Sequence, residues 1–83
     1  MSIYYDDAWL PSLDGTHTKR VYRHGTAIAI GRVRLWQTCD EGELTHEWFT
    51  AERWEAGRYV PIQGEHADFL EAVERIVLDL ATH

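Results

Sequence analysis

Alternating apolar and polar positions dominate the middle of this chain, and a 3.6-residue rhythm takes over at its end. Residues 19–23, 26–38, 43–54 and 58–62 read as strands. His24-Gly25, Asp40-Glu41-Gly42 and Glu55-Ala56-Gly57 separate them. Each separator closes on glycine, which accepts the positive φ of a tight hairpin, and a three-residue loop ending in an αL glycine fits the spacing. The pattern predicts a four-stranded antiparallel meander. Phe69, Leu70, Val73, Ile76, Val77 and Leu80 then make one helical stripe, while Asp68, Glu71, Glu74, Arg75 and Asp79 cover the remaining surface. An amphipathic helix over 65–81 follows, with Gly64 as its N-cap and Glu65 and Asp68 near the positive end of its dipole. Leu78 lies opposite the stripe.

The second strand breaks its own alternation. Under a strict two-residue period, Ile28 and Ile30 share a face with Arg32, Arg34 and Trp36, while Val33 and Leu35 point the other way. A bulge at Gly31 repairs this. One extra residue there puts Ile28, Ile30, Val33 and Leu35 on one side and Arg32, Arg34 and Trp36 on the other, and glycine is a usual occupant of such a position. The expected fold is therefore α+β: a single ββββα domain over 19–83 whose helix covers one sheet face. Residues 1–18, with turn signals at Leu10-Pro11-Ser12 and Asp14-Gly15, form an N-terminal arm wrapped on the outside.

Size and composition narrow the class. A chain of 83 residues makes one domain with a small core. Its single cysteine, Cys39, allows no internal disulfide, so a reducing cytoplasm is the expected location. No apolar run approaches the roughly 20 residues needed to span a bilayer, and the N-terminus lacks the pattern of a signal peptide, so no membrane is expected. Four Trp and four Tyr are many for this length. With so little core to bury them in, they point to a homodimer or to a binding face.

Charge is unevenly spread. The formal net charge is −6, yet Lys19, Arg20, Arg23, Arg32 and Arg34, five of the eight basic residues, fall between Gly15 and Cys39 with no acid among them. Such segregation marks a surface for a charged partner. Two arrangements of that segment satisfy the pattern. In one, Arg32, Arg34, Trp36, His46 and Trp48 interleave on an open face, where rings stack on bases and cations follow phosphates. A three-residue loop puts Trp36 opposite His46 and Arg34 opposite Trp48. In the other, Trp36, Leu44, Trp48 and Trp54 lie under the helix, with Arg34 stacked on Trp48. Separately, the basic cluster either binds phosphate or pairs across strands with Glu43, Glu47 and Glu52.

Catalytic patterns are absent. The histidines at 17, 24, 46, 66 and 83 have no metal-ligand spacing, Cys39 has no cationic neighbour in sequence, and no phosphate-cradling glycine loop occurs. No enzyme activity and no cofactor are expected. An acidic surface formed by the helix and arm offers another use: Glu71, Glu74 and Leu78 would meet a basic protein.

The segments Gly31-Arg32-Val33-Arg34-Leu35-Trp36 and Asp40-Glu41-Gly42-Glu43-Leu44 resemble the transcriptional coactivator (positive cofactor four) family, in which an arginine- and aromatic-bearing strand runs into an acidic-glycine turn. The resemblance implies a dimer that holds single-stranded DNA on its sheets, with Arg32, Arg34 and Trp36 in the binding positions. In place of that family's lysine-rich strand before the helix, this chain has Arg58-Tyr59-Val60-Pro61-Ile62 after a longer insertion. The leading expectation is a non-catalytic single-stranded nucleic-acid-binding module, using Lys19, Arg20, Arg23, Arg32, Arg34, Trp36, His46 and Trp48. The alternative is a small acidic protein-binding protein, such as a phage- or mobile-element-encoded inhibitor of a nucleic-acid-handling complex.

Overall fold

A computed structural model describes residues 2–82. Among these described residues, six strands and one helix follow in order: β1 (Ile3–Tyr5), β2 (Leu10–Pro11), β3 (His17–Arg23), β4 (Ala29–Asp40), β5 (Glu43–Glu55), β6 (Arg58–His66) and α1 (Phe69–Thr82). All the pairings are antiparallel, in the order β1-β3-β4-β5-β6, with β2 on the same edge of β3 as β1. The α+β class holds, but the sheet has six strands where four were expected. Both added strands come from the arm, which pairs into the sheet instead of lying outside it.

The helix covers the face carrying Val21, Val33, Phe49, Ala51 and Ile62, and seals it with Ala72, Val73 and Ile76. Burial of these apolar groups is what holds α1 to the sheet. Leu70, assigned to the apolar stripe, is instead 64% exposed, and Ala72 takes its place in the contact. The arm adds Trp9 and Tyr5, whose rings meet Phe69 edge-on at 5.6 and 4.8 Å. No helix among the described residues is long and apolar enough to cross a membrane.

The bulge exists and shapes the core. Val21 pairs with Gly31 and Tyr22 with Ala29, so the unmatched residue is Ile30, one position before the expected glycine. Ile30 packs against the core with Leu35, while Ile28 is 70% exposed, in contrast to its expected place on the apolar face. Gly31 is needed for a different reason. A Cβ there would collide with the Glu52 carbonyl oxygen and come within 2.9 Å of Ile76 Cγ2, so glycine lets the helix approach β4.

Both long-strand hairpins turn more tightly than expected. Asp40 pairs with Glu43 and Glu55 with Arg58, leaving two-residue turns, Glu41-Gly42 and Ala56-Gly57, with φ of 51° and 83°, and of 50° and 83°. Positive φ at both positions is the type I′ geometry, whose twist matches that of the flanking strands. The helix also starts later than expected. Through Gly64, whose φ is 121°, β6 continues to His66 with its register against β5 shifted, and the N-cap is Asp68 rather than Gly64. Asp68 Oδ1 accepts from the Glu71 amide at 2.9 Å, and Glu71 Oε2 accepts from the Ala67 amide at 3.1 Å.

Candidate nucleic-acid interface

Because β4 and β5 outrun their neighbours, the molecule is elongated, 43 × 22 × 21 Å. The pairing of β3 with β4 ends at His17–Leu35, and that of β6 with β5 ends at Phe49–His66. Beyond those points the β4–β5 ribbon stands alone, and every residue from Gln37 to Glu47 is exposed. Cys39 is a free thiol on this ribbon.

The helix-free face collects most of the predicted site. Arg32, Arg34 and Trp36 alternate along β4, facing Glu52, Thr50 and Trp48 on β5. Trp36 and Trp48 stack with centroids 6.0 Å apart and planes 5° from parallel, and His46 stacks on Trp48 at 4.9 Å. Trp36 Nε1 donates to Thr50 Oγ1 at 2.9 Å. The register differs from the expected one: Trp48, not His46, lies opposite Trp36, and Thr50, not Trp48, opposite Arg34. A second bulge, at Thr45, combines with the shorter turn to shift the pairing by two positions from His46 onward, which keeps His46, Trp48 and Thr50 on their expected face, while Glu43 and Leu44, shifted by one, change sides. The alternative that buried Trp36, Leu44, Trp48 and Trp54 under the helix does not occur.

The arginines are not bare. Arg32 Nε pairs with Glu52 Oε1, and Arg34 Nε with Glu52 Oε2 at 3.2 Å. Arg34 also reaches Asp14 Oδ2 at 3.2 Å and donates to the Thr16 hydroxyl. Both Arg34 and Glu52 are about nine-tenths buried, so this is an ordered network. Of the three acids expected to pair with the cations, Glu52 does so, while Glu47 accepts from Gln37. Arg20 Nε pairs with Asp6 at 3.0 Å. Burial pushes the Asp6 carboxyl up, but hydrogen bonds from the Arg20 amide and side chain and from the Tyr22 hydroxyl outweigh it and hold the group below the ordinary aspartate range. Asp14 is also held low, first by the Thr16 hydroxyl and amide and then by Arg34.

Lys19 and Arg23 lie elsewhere. On β3 they alternate with Arg20 and Tyr22 and share the side of Val21. Lys19 Nζ sits 5.2 Å from the Trp9 ring centroid and 5.4 Å from that of Phe69, a cation over the core's rim. Of the acidic-surface residues, Glu71 is engaged in the helix cap, Glu74 is exposed and Leu78 is 55% exposed. The described residues include no group of three or more His, Cys, Asp or Glu that could hold a metal ion.

Sequence reasoning missed Tyr22, Trp54 and Tyr59 on the same helix-free face. Arg32 lies 4.1 Å over the Tyr59 ring, and Tyr59 meets Trp54 edge-on at 4.9 Å. Their spacing already put them there, since Trp54 is six residues from Trp48 along one strand. The chain matches no protein-family model, no curated protein and no solved structure.

Proposed function

We propose that this chain is a non-catalytic module that binds single-stranded nucleic acid on the helix-free face of its sheet. The observation that carries the reading is the stack of His46, Trp48 and Trp36 on a projecting ribbon, beside the Arg32–Glu52–Arg34 network. Rings contribute most of the affinity here. With Arg20, Arg32 and Arg34 already paired to carboxylates, few counterions are released when a phosphate backbone arrives. Fluorescence anisotropy of a labelled oligothymidylate tests this. Binding at low salt should weaken by roughly tenfold or more in Trp48→Ala, and the salt slope should be shallow, about −1. No binding of the wild type at low salt sinks the reading.

The small core and aromatic surplus support a homodimer, for which a sedimentation mass of a monomer at high micromolar concentration would be decisive against. A cytoplasmic location suits the unpaired, exposed Cys39. A second reading, an acidic protein that binds a basic partner, draws on the net charge of −6, the neutralised arginines and the exposed Glu74 and Leu78. It predicts a complex that survives nuclease and is lost in Glu74→Lys.

A further inference from the structure

We infer that the same face holds a second station for a planar base, formed by Tyr22, Trp54 and Tyr59, so that one strand is gripped at two points. This rests on the nucleic-acid reading above. A hollow of about 220 Å³ opens at the end of the face away from the ribbon, between those three rings, Arg20 and the Ala27-Ile28-Ala29 segment. That is below the ~300–1,000 Å³ usual for drug-sized ligands and suits one ring system. Its walls combine aromatic and aliphatic side chains with the Arg20 guanidinium and the polar edges of the tyrosines. Trp54 is 41% exposed and Ile28, on the rim, is 70% exposed, so the hollow is open to solvent. Arg20 lines it, 5.8 Å from the Tyr22 centroid; Arg32 covers one face of Tyr59 and Tyr4 stacks on Tyr22, so Trp54 is the ring most open to a base and the two tyrosines wall it.

Distance and order define the ligand. Trp48, Thr50, Glu52 and Trp54 alternate along β5, so both stations lie on one face, separated by roughly 20 Å at about 3.3 Å per residue. Between them lies the closed Arg32–Glu52–Arg34 network, which offers no ring. A ligand touching both stations is therefore a chain with bases at its two ends and backbone in the middle, of about four to five nucleotides, near the short end of known single-strand sites. A lone nucleotide or a dinucleotide reaches only one station.

The test is a length series of oligothymidylates from two to twelve nucleotides, read by anisotropy. Affinity should rise steeply up to four or five nucleotides and level off beyond. In Trp54→Ala, binding of the dinucleotide should stay within about twofold, while binding of the octanucleotide falls about tenfold and the steep rise is lost. Ile28→Glu changes an exposed rim residue without touching the core and should act in the same direction, which guards against misfolding of the tryptophan variant. A wild-type curve that is flat beyond two or three nucleotides, or an octanucleotide affinity unchanged by both variants, overturns the second station and leaves the first intact. Failure of every length to bind overturns the nucleic-acid reading itself.

Discussion

Glu52 is the residue on which the helix-free face depends. Its carboxylate is shared by the guanidinium directly across the strand pair, Arg32, and by the diagonal one, Arg34. Removing one partner of a buried ion network leaves the others uncompensated, which is more costly than never having built it. Glu52→Gln should lower stability by about 1–3 kcal/mol, seen as a lower urea midpoint with an unchanged m-value. On the nucleic-acid reading it should also steepen the salt dependence of binding, because Arg32 loses its carboxylate partner and becomes available to phosphate while Arg34 keeps Asp14. An unchanged salt slope would show that Arg32 is structural only. The sequence offered Glu43, Glu47 and Glu52 as equivalent partners. Only the register separated them: Glu52 lies directly across from Arg32 and diagonal to Arg34, whereas Glu47 points to the opposite face and Glu43 sits at the distant hairpin turn across from Asp40.

Among the elements, the two hairpins show how much a pattern can specify. Glycine marked each turn correctly, yet loop length was not legible, because a two-residue and a three-residue loop both end on a positive-φ glycine. The structure selects two residues and places Glu41 and Ala56 at φ of 51° and 50°. A side chain at positive φ is strained, and alanine has no polar group to offset it. Ala56→Gly or Ala56→Asn should therefore raise stability by about 0.5–1 kcal/mol, measurable as a higher thermal midpoint. No gain from either would mean that the turn relaxes without cost. The helix start was misplaced for a related reason. Glu65 and His66 suit a helix as well as a strand, and pairing of His66 with Phe49 settles the matter.

At the scale of the whole molecule, the arm straddles the sheet edge. Tyr5 and Trp9 pack on the helix side, while Asp6 and Asp14 tie down Arg20 and Arg34 on the other. Both carboxyls are held below their ordinary range, so they favour the docked arm above roughly pH 4 and lose that effect as the pH falls through their lowered values. Acid should loosen the arm before the rest of the sheet. Amide exchange at Arg20 and Thr16, whose N–H groups donate to Asp6 and Asp14, should accelerate below about pH 4, and Asp6→Asn should abolish the step at Arg20. Exchange at Arg20 that does not change with pH beyond its intrinsic dependence would refute this anchoring. By itself, the order of residues determined the class of fold, the long central strands, a break in alternation next to Gly31, the helix and the shared face of Arg32, Arg34 and Trp36, because those follow from local periods of two and 3.6. Tertiary structure decided cross-strand partners, the pairing of the arginines, the use of the arm as two strands and the gathering of Tyr22, Trp54 and Tyr59 around one hollow. Those depend on register and on contacts between residues far apart in the chain, which no local period encodes.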